Sequence, residues 1–184
     1  YDQKMIVLGI DPGSLTTGWA LLKSEGNKVS YLASGVLKFD KKIDFLTRLA
    51  EIKQKSKNLI DELSPNEVAL ESLIYVKSPT ALIKLAQTRG IILANLLEDY
   101  ENKIFEYSPN FIKSTAVGHG HANKESVKKF LDVVLGKRDY QTHDESDAVA
   151  IALCHILNRK SGEVPKIKKH KGKGLAASLA HKLG

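Results

Sequence analysis

Two short apolar runs in this chain each stop on a carboxylate. Met5 to Ile10 ends at Asp11 and the Pro12-Gly13 turn, and Val68-Ala69-Leu70 ends at Glu71. Apolar runs of this length, closed by a turn signal, read as buried strands. An ionised acid in a sheet interior is costly unless it is paired or holds a metal. The two runs therefore ask for a well-covered sheet. If the strands are neighbours, they also put two acids at one edge of it.

The rest of the pattern supplies the cover. Leu15 to Ser24 and Lys28 to Phe39 read as further strands, joined by a hairpin turn at Gly26-Asn27. From Asp44 to Leu63 the apolar residues Phe45, Leu46, Leu49, Ile52, Leu59, Ile60 and Leu63 recur at helical spacing, and Ser64-Pro65-Asn66 breaks the run. A second long helix is expected over Pro79 to Tyr100 and a strand over Lys103 to Tyr107. Ser108-Pro109 opens a helix with proline in its tolerated first turn, and another spans Lys124 to Leu135. Thr142 with Glu145 three residues later has the form of a capping box, starting a helix that runs to about Asn158. Strands first, then helices alternating with strands, predict an α/β fold: a five-stranded mixed sheet with helices on both faces. The expected division is a folded domain over 1–158 and a basic, flexible tail over 159–184. Met5 is the single methionine, so residues 1–4 are read as an addition ahead of the natural start.

Charge is unevenly spread. The chain carries a net +7, yet eight of its 28 Lys and Arg and one of its 21 acids fall in 159–184, so residues 1–158 hold 20 of each sign. A polyanionic partner is implied, but only the local placement of individual lysines can show where the folded part meets it. No apolar run approaches the roughly 18 residues that span a bilayer, so a membrane protein is not expected. Cys154 is the only cysteine, which excludes an intrachain disulfide and suits a reducing, cytoplasmic setting. Set among Ala152, Leu153 and Ile156, it reads as a packed side chain rather than a nucleophile.

The remaining acids sharpen the chemistry. Asp144 and Asp147 are three apart at an expected helix start and so share a face. Each acid alone has an ordinary role to fill, as a turn-former, a strand end or a first-turn helix residue. Together, Asp11, Glu71, Asp144 and Asp147 converging on one point would repel strongly unless a hard divalent cation such as Mg²⁺ or Mn²⁺ lay between them. Two such ions about 4 Å apart can hydrolyse a phosphodiester with no side-chain nucleophile.

The chain resembles the RuvC Holliday-junction resolvases. The likeness begins at Gly9-Ile10-Asp11-Pro12-Gly13-Ser14 and Thr17-Gly18-Trp19-Ala20. It continues through Leu70-Glu71-Ser72, the segment Lys84 to Gly90, Ile112-Lys113, the segment Gly118 to Lys124, and Asp144 to Ala152. It covers about residues 5–158 in order and spacing. The resemblance implies an RNase H-like fold, a homodimer acting on four-way junction DNA, and a Mg²⁺-dependent endonuclease with two ions per subunit. It assigns the catalytic metal site to Asp11, Glu71, Asp144 and Asp147, sets Lys113 and Lys124 near the scissile phosphate, and implies a RuvA–RuvB branch-migration complex as partner. Where family members often carry a base-stacking Phe after the catalytic Glu, this chain has Ile74 followed by Tyr75. Tyr75 is the residue that would stack in its place, with packing as its other role. His119 and His121, in a glycine-rich segment, are further candidates for contact with DNA, or simply turn residues.

Three other readings remain open at this point. One is an RNase H-like nuclease acting on RNA or RNA–DNA hybrids. Another is a fragment of an actin-like ATPase, whose first phosphate loop resembles Gly9 to Thr17. That fold needs a second lobe and a second Asp-x-Gly segment, and the chain has neither. A non-catalytic junction-binding module would be expected to lack one of the four acids.

Overall fold

In the computed structural model, which describes residues 4–73, 78–117 and 123–162, the strands and helices follow in the expected order. They are β1 (Met5–Asp11), β2 (Thr16–Glu25), β3 (Lys28–Lys38), α1 (Phe45–Leu63), β4 (Glu67–Glu71), α2 (Pro79–Tyr100), β5 (Ile104–Tyr107), α3 (Pro109–Val117), α4 (Lys124–Leu135) and α5 (His143–Ser161). The five strands form one mixed sheet in the order β3-β2-β1-β4-β5. The first three make an antiparallel meander, and β4 and β5 join it in parallel beyond β1. This is the architecture that the sequence pattern predicted, and the two acid-ended strands, β1 and β4, are direct neighbours.

Strand alternation divides the core into two layers. Val7 of β1, Ala20 and Leu22 of β2, Ala69 of β4 and Tyr107 of β5 face α3, α4 and α5. Leu8 and Ile10, Leu21, Val68 and Leu70, and Ile104 face α1 and α2 on the other side. α1 and α2 are also tied together by Asn95, whose amide donates to Ser56 Oγ at 2.9 Å and to the Lys53 carbonyl at 2.9 Å. No helix among the described residues is long and apolar enough to cross a membrane.

The helix that matters most to the site is α5, buried over most of its surface. It lies against β1 and β2 at backbone distance, which two glycines permit. A Cβ on Gly9 would stand 2.2 Å from the Ala148 carbonyl oxygen and 2.8 Å from the Ala152 nitrogen. One on Gly18 would stand 1.9 Å from the Asp144 carbonyl oxygen. Ala148 and Ala152, one turn apart, keep the helix side of this contact equally thin.

α5 extends three residues past its expected end, to Ser161. It closes at Gly162, in the left-handed region at φ 76°, whose N–H bonds the Asn158 carbonyl. The extension has a cause. Arg159, grouped with the tail on composition, donates to Glu67 Oε1 at 2.8 Å and lies near the Phe105 ring. Glu67 also meets the fully buried His155, with Nε2 and Oε2 at 2.7 Å, and the other ring nitrogen is 2.7 Å from the Tyr107 hydroxyl. A polar chain from β5 through α5 to β4 thus fixes the second half of the helix.

Burial opposes ionisation of Glu67, but the hydrogen bond and charge of His155 and the charge of Arg159 outweigh it and hold the carboxyl below its ordinary value. Such an acid stabilises the fold above its unfolded value of 4.5, and the contribution disappears as pH falls through the lower folded value. The Tm gap between wild type and Glu67→Gln is therefore expected to be full near neutral pH and to shrink in strongly acidic buffer. A gap independent of pH would contradict this role for the network. Separately, Gly9→Ala is expected to cost about 1–3 kcal/mol by forcing α5 off the sheet, measured by chemical unfolding. An unchanged midpoint would mean the contact is looser than described.

Candidate active site

The register brings the strand-end acids together. Ile10 pairs with Leu70 in the parallel ladder, so Asp11 and Glu71 follow side by side at the same end of adjacent strands. Neighbouring strands lie about 4.8 Å apart. Asp11 also pairs with Gly18 of β2. Gly18 is the residue on which the Asp144 backbone rests, and this seats the first turn of α5 beside the strand ends.

That turn is set by its cap. Thr142 Oγ1 accepts from the Glu145 amide at 3.2 Å, as the capping-box pattern predicted. The reciprocal half differs: Glu145 Oε2 accepts from the Gln141 amide at 2.6 Å rather than from Thr142. Its other oxygen accepts from Ser34 Oγ on β3 at 2.6 Å. Both oxygens of this buried acid thus serve the fold, whereas Asp144 and Asp147 on either side of it are half-buried. The capping pattern set Glu145 apart from its two acidic neighbours in the sequence, but its bond to Ser34 was not legible there. Asp144 Oδ2 in turn accepts from the Thr16 hydroxyl at the start of β2.

Asp147 and Glu71 line one cleft of about 480 Å³, bounded by α3, α4 and α5 and walled by Ile112, Val127, Leu131 and Ile151. Lys113 of α3 opens onto the same cleft, as do Lys128, Glu125 and His143. Lys113 thus shares one cleft with two of the four acids. His143, the first residue of α5, is exposed and lines the cleft. Lys124 is the first residue of α4; its side chain, and the whole of Tyr75, His119 and His121, lie outside the described residues.

The four acids are thus linked one to the next across the end of the sheet: Glu71 beside Asp11, Asp11 opposite Gly18, Gly18 beneath Asp144, and Asp147 facing the cleft with Glu71. Among the described residues, no three Asp, Glu, His or Cys side chains form a ready-made metal cage. The backbone gathers the acids, and an oxygen-only donor set of this kind suits a hard divalent cation.

Cys154 plays no part. It is buried, and burial pushes its thiol up to about 11, against weaker hydrogen bonds from Thr115 and Asn158. A thiol in that state is a poor nucleophile, in line with the packing role expected of it.

Comparison with known proteins decides the family. Residues 7–155 match the family model described as crossover junction endodeoxyribonuclease RuvC. The chain belongs to the RuvC family. It is 36% identical over 155 residues to the RuvC of Bartonella tribocorum, covering 84% of this chain and 90% of that protein. To the RuvC of Brucella suis it is 34% identical over 155 residues, covering 84% and 89%. Among solved structures, T. thermophilus RuvC in complex with Holliday junction substrate superposes with a TM-score of 0.78 at 27% identity, covering 87% of this chain and 98% of that one. The RuvC match contains all four acids, Lys113 and Lys124, and it ends before the basic segment. The likeness to actin-like ATPases, which rested on the first loop alone, finds no support in a RuvC match of this extent.

Two kinds of residue escaped the sequence reading. Gly9 and Gly18 were visible in the motif, but without a partner to account for them. Arg89 was visible too, and it is buried with its guanidinium on the Glu71 carbonyl. An arginine at helical spacing with Ile92 and Leu96, on the apolar side of α2, was the available signal.

Proposed function

We propose that this RuvC-family enzyme resolves Holliday junctions as a homodimer whose two-fold symmetry matches that of a four-way junction. Each subunit nicks one of two strands of like polarity, leaving 5′-phosphate and 3′-hydroxyl ends that a ligase can seal. The observation that carries this reading is the pair Asp11 and Glu71 at the ends of adjacent parallel strands, with Asp144 and Asp147 seated beside them by α5.

Asp11 and Glu71 hold Mg²⁺, for which Mn²⁺ can substitute, and Asp144 and Asp147 complete the ligand set, two ions to each subunit. Bound there, the ions supply an activated water and stabilise the leaving oxygen of the phosphodiester. Facing carboxylates repel, so a shared cation is what draws the four side chains to one point. Lys113, on the cleft wall, steadies phosphate charge together with Lys124. Tyr75 stacks on an unpaired base, and His119 and His121 touch DNA. The enzyme works in the cytoplasm with a RuvA–RuvB branch-migration complex. The basic segment after Gly162 grips phosphates without regard to sequence.

Asp11→Asn is expected to bind junction DNA with near-native affinity and to lose cleavage by at least about 100-fold, read by native gel and nicking assay with Mg²⁺. Cleavage at the wild-type rate would remove Asp11 from the chemistry. A chain ending at Gly162 is expected to bind junctions more weakly and with a shallower dependence of log K on log salt. Unchanged affinity and slope would assign the tail to some other task.

A further inference from the structure

The parallel ladder between β1 and β4 runs out of donors at its most important residue. Val68 donates to the Lys103 carbonyl across β5, so the even-numbered residues of β4 face β5 and the odd-numbered ones face β1. In a parallel ladder each such carbonyl takes the amide one residue beyond its partner on the next strand. For Glu71, next to Asp11 in register, that donor would be residue 12. Residue 12 is proline, which has no N–H.

Arg89 fills the gap. Its guanidinium NH1 donates to the Glu71 carbonyl at 2.6 Å, from α2 on the opposite face of the sheet to α5. NH2 is paired with Glu106 of β5, the register partner of Leu70. Arg89 is only 5% exposed. A buried guanidinium requires acceptors in a fixed fork geometry, and here the two acceptors are the backbone of the strand-end acid and a side chain on the adjacent strand. We propose that Arg89 is a positioning residue for the metal centre: it holds the backbone of Glu71 in place of the amide that Pro12 cannot supply. The proposal rests on Glu71 being a metal ligand.

Arg89→Lys keeps the charge and loses the fork. In the DNA-free full-length protein, Mn²⁺ stabilises by binding the native state, so the thermal shift on titrating Mn²⁺ reads the site without any turnover. Arg89→Lys is expected to raise the Mn²⁺ concentration for half-maximal shift by roughly 10-fold, while its junction affinity in EDTA stays at the wild-type level. Adding Pro12→Ala, which restores an amide at residue 12, is expected to recover part of that loss, an effect that a purely structural arginine would not produce. A wild-type Mn²⁺ midpoint in Arg89→Lys overturns the proposal, as does a loss that Pro12→Ala leaves untouched. If Arg89→Lys fails to fold, Glu106→Gln decides in its stead: a raised midpoint supports the clamp and an unchanged one rejects it. Glu71→Gln separates the clamp from the ligand assignment on which it rests. If it titrates like wild type, the assignment of Glu71 as a ligand falls; if it loses the Mn²⁺ response while Arg89→Lys keeps it, only the clamp falls.

Discussion

The contact between α5 and the glycines of β1 and β2 governs this molecule. Packed layers of secondary structure normally stand about 10 Å apart, with side chains filling the space. Here Gly9 and Gly18 on one side and Ala148 and Ala152 on the other remove that filling, and the Ala148 and Asp144 carbonyls come to rest over the strands themselves. The result is positional. Two acids on the helix and two on the strands come from distant stretches of the chain, and only a close, well-indexed seat can present them together. A well-packed interior transmits small displacements, so a shift of this helix would be felt first at Asp144 and Asp147.

Polar contacts hold the same helix against rotation. At its start, Glu145 is anchored to β3 through Ser34 and to the preceding loop through Gln141. Toward its end, His155 and Arg159 meet Glu67 on β4, and Tyr107 closes the chain from β5. Nonpolar packing alone tolerates sliding, whereas paired buried groups penalise any register in which one partner is lost. The face of α5 that carries Asp144 and Asp147 is therefore fixed by polar contacts near both ends of the helix.

Much of this was legible in the sequence, for reasons that differ by element. The strands β1 and β4 announced themselves because a short apolar run that stops on an acid fits little but a buried strand reaching the edge of its sheet. The helices followed from their period and caps, and their bounds agree with the structure at α2 and α4 to the residue. Leu15 was assigned to β2 on its hydrophobicity, yet it is half-exposed and precedes the strand. The end of α5 was set too early because Arg159 looked like part of a charge run; its partner Glu67 is 92 residues away and invisible to local pattern. Glu145 was legible as a capping-box acid, but its bond to Ser34 was not, because Ser34 lies on a distant strand. The role of Arg89 needed the ladder's register, and no periodicity supplies that. For the end of α5 and for Arg89, what sequence could not settle was which distant group stands opposite.

The length of α5 has one more consequence. From Asp144 to Ser161 the helix rises about 26 Å at 1.5 Å per residue, and it is pinned at both ends. Whatever follows Gly162 thus departs from a fixed point that far from the carboxylates, a span of roughly eight base pairs at 3.4 Å each along a duplex. The two ends of α5 thus stand well apart, and a change at the Gly162 end can reach the carboxylates only through the helix and the strands that pin it.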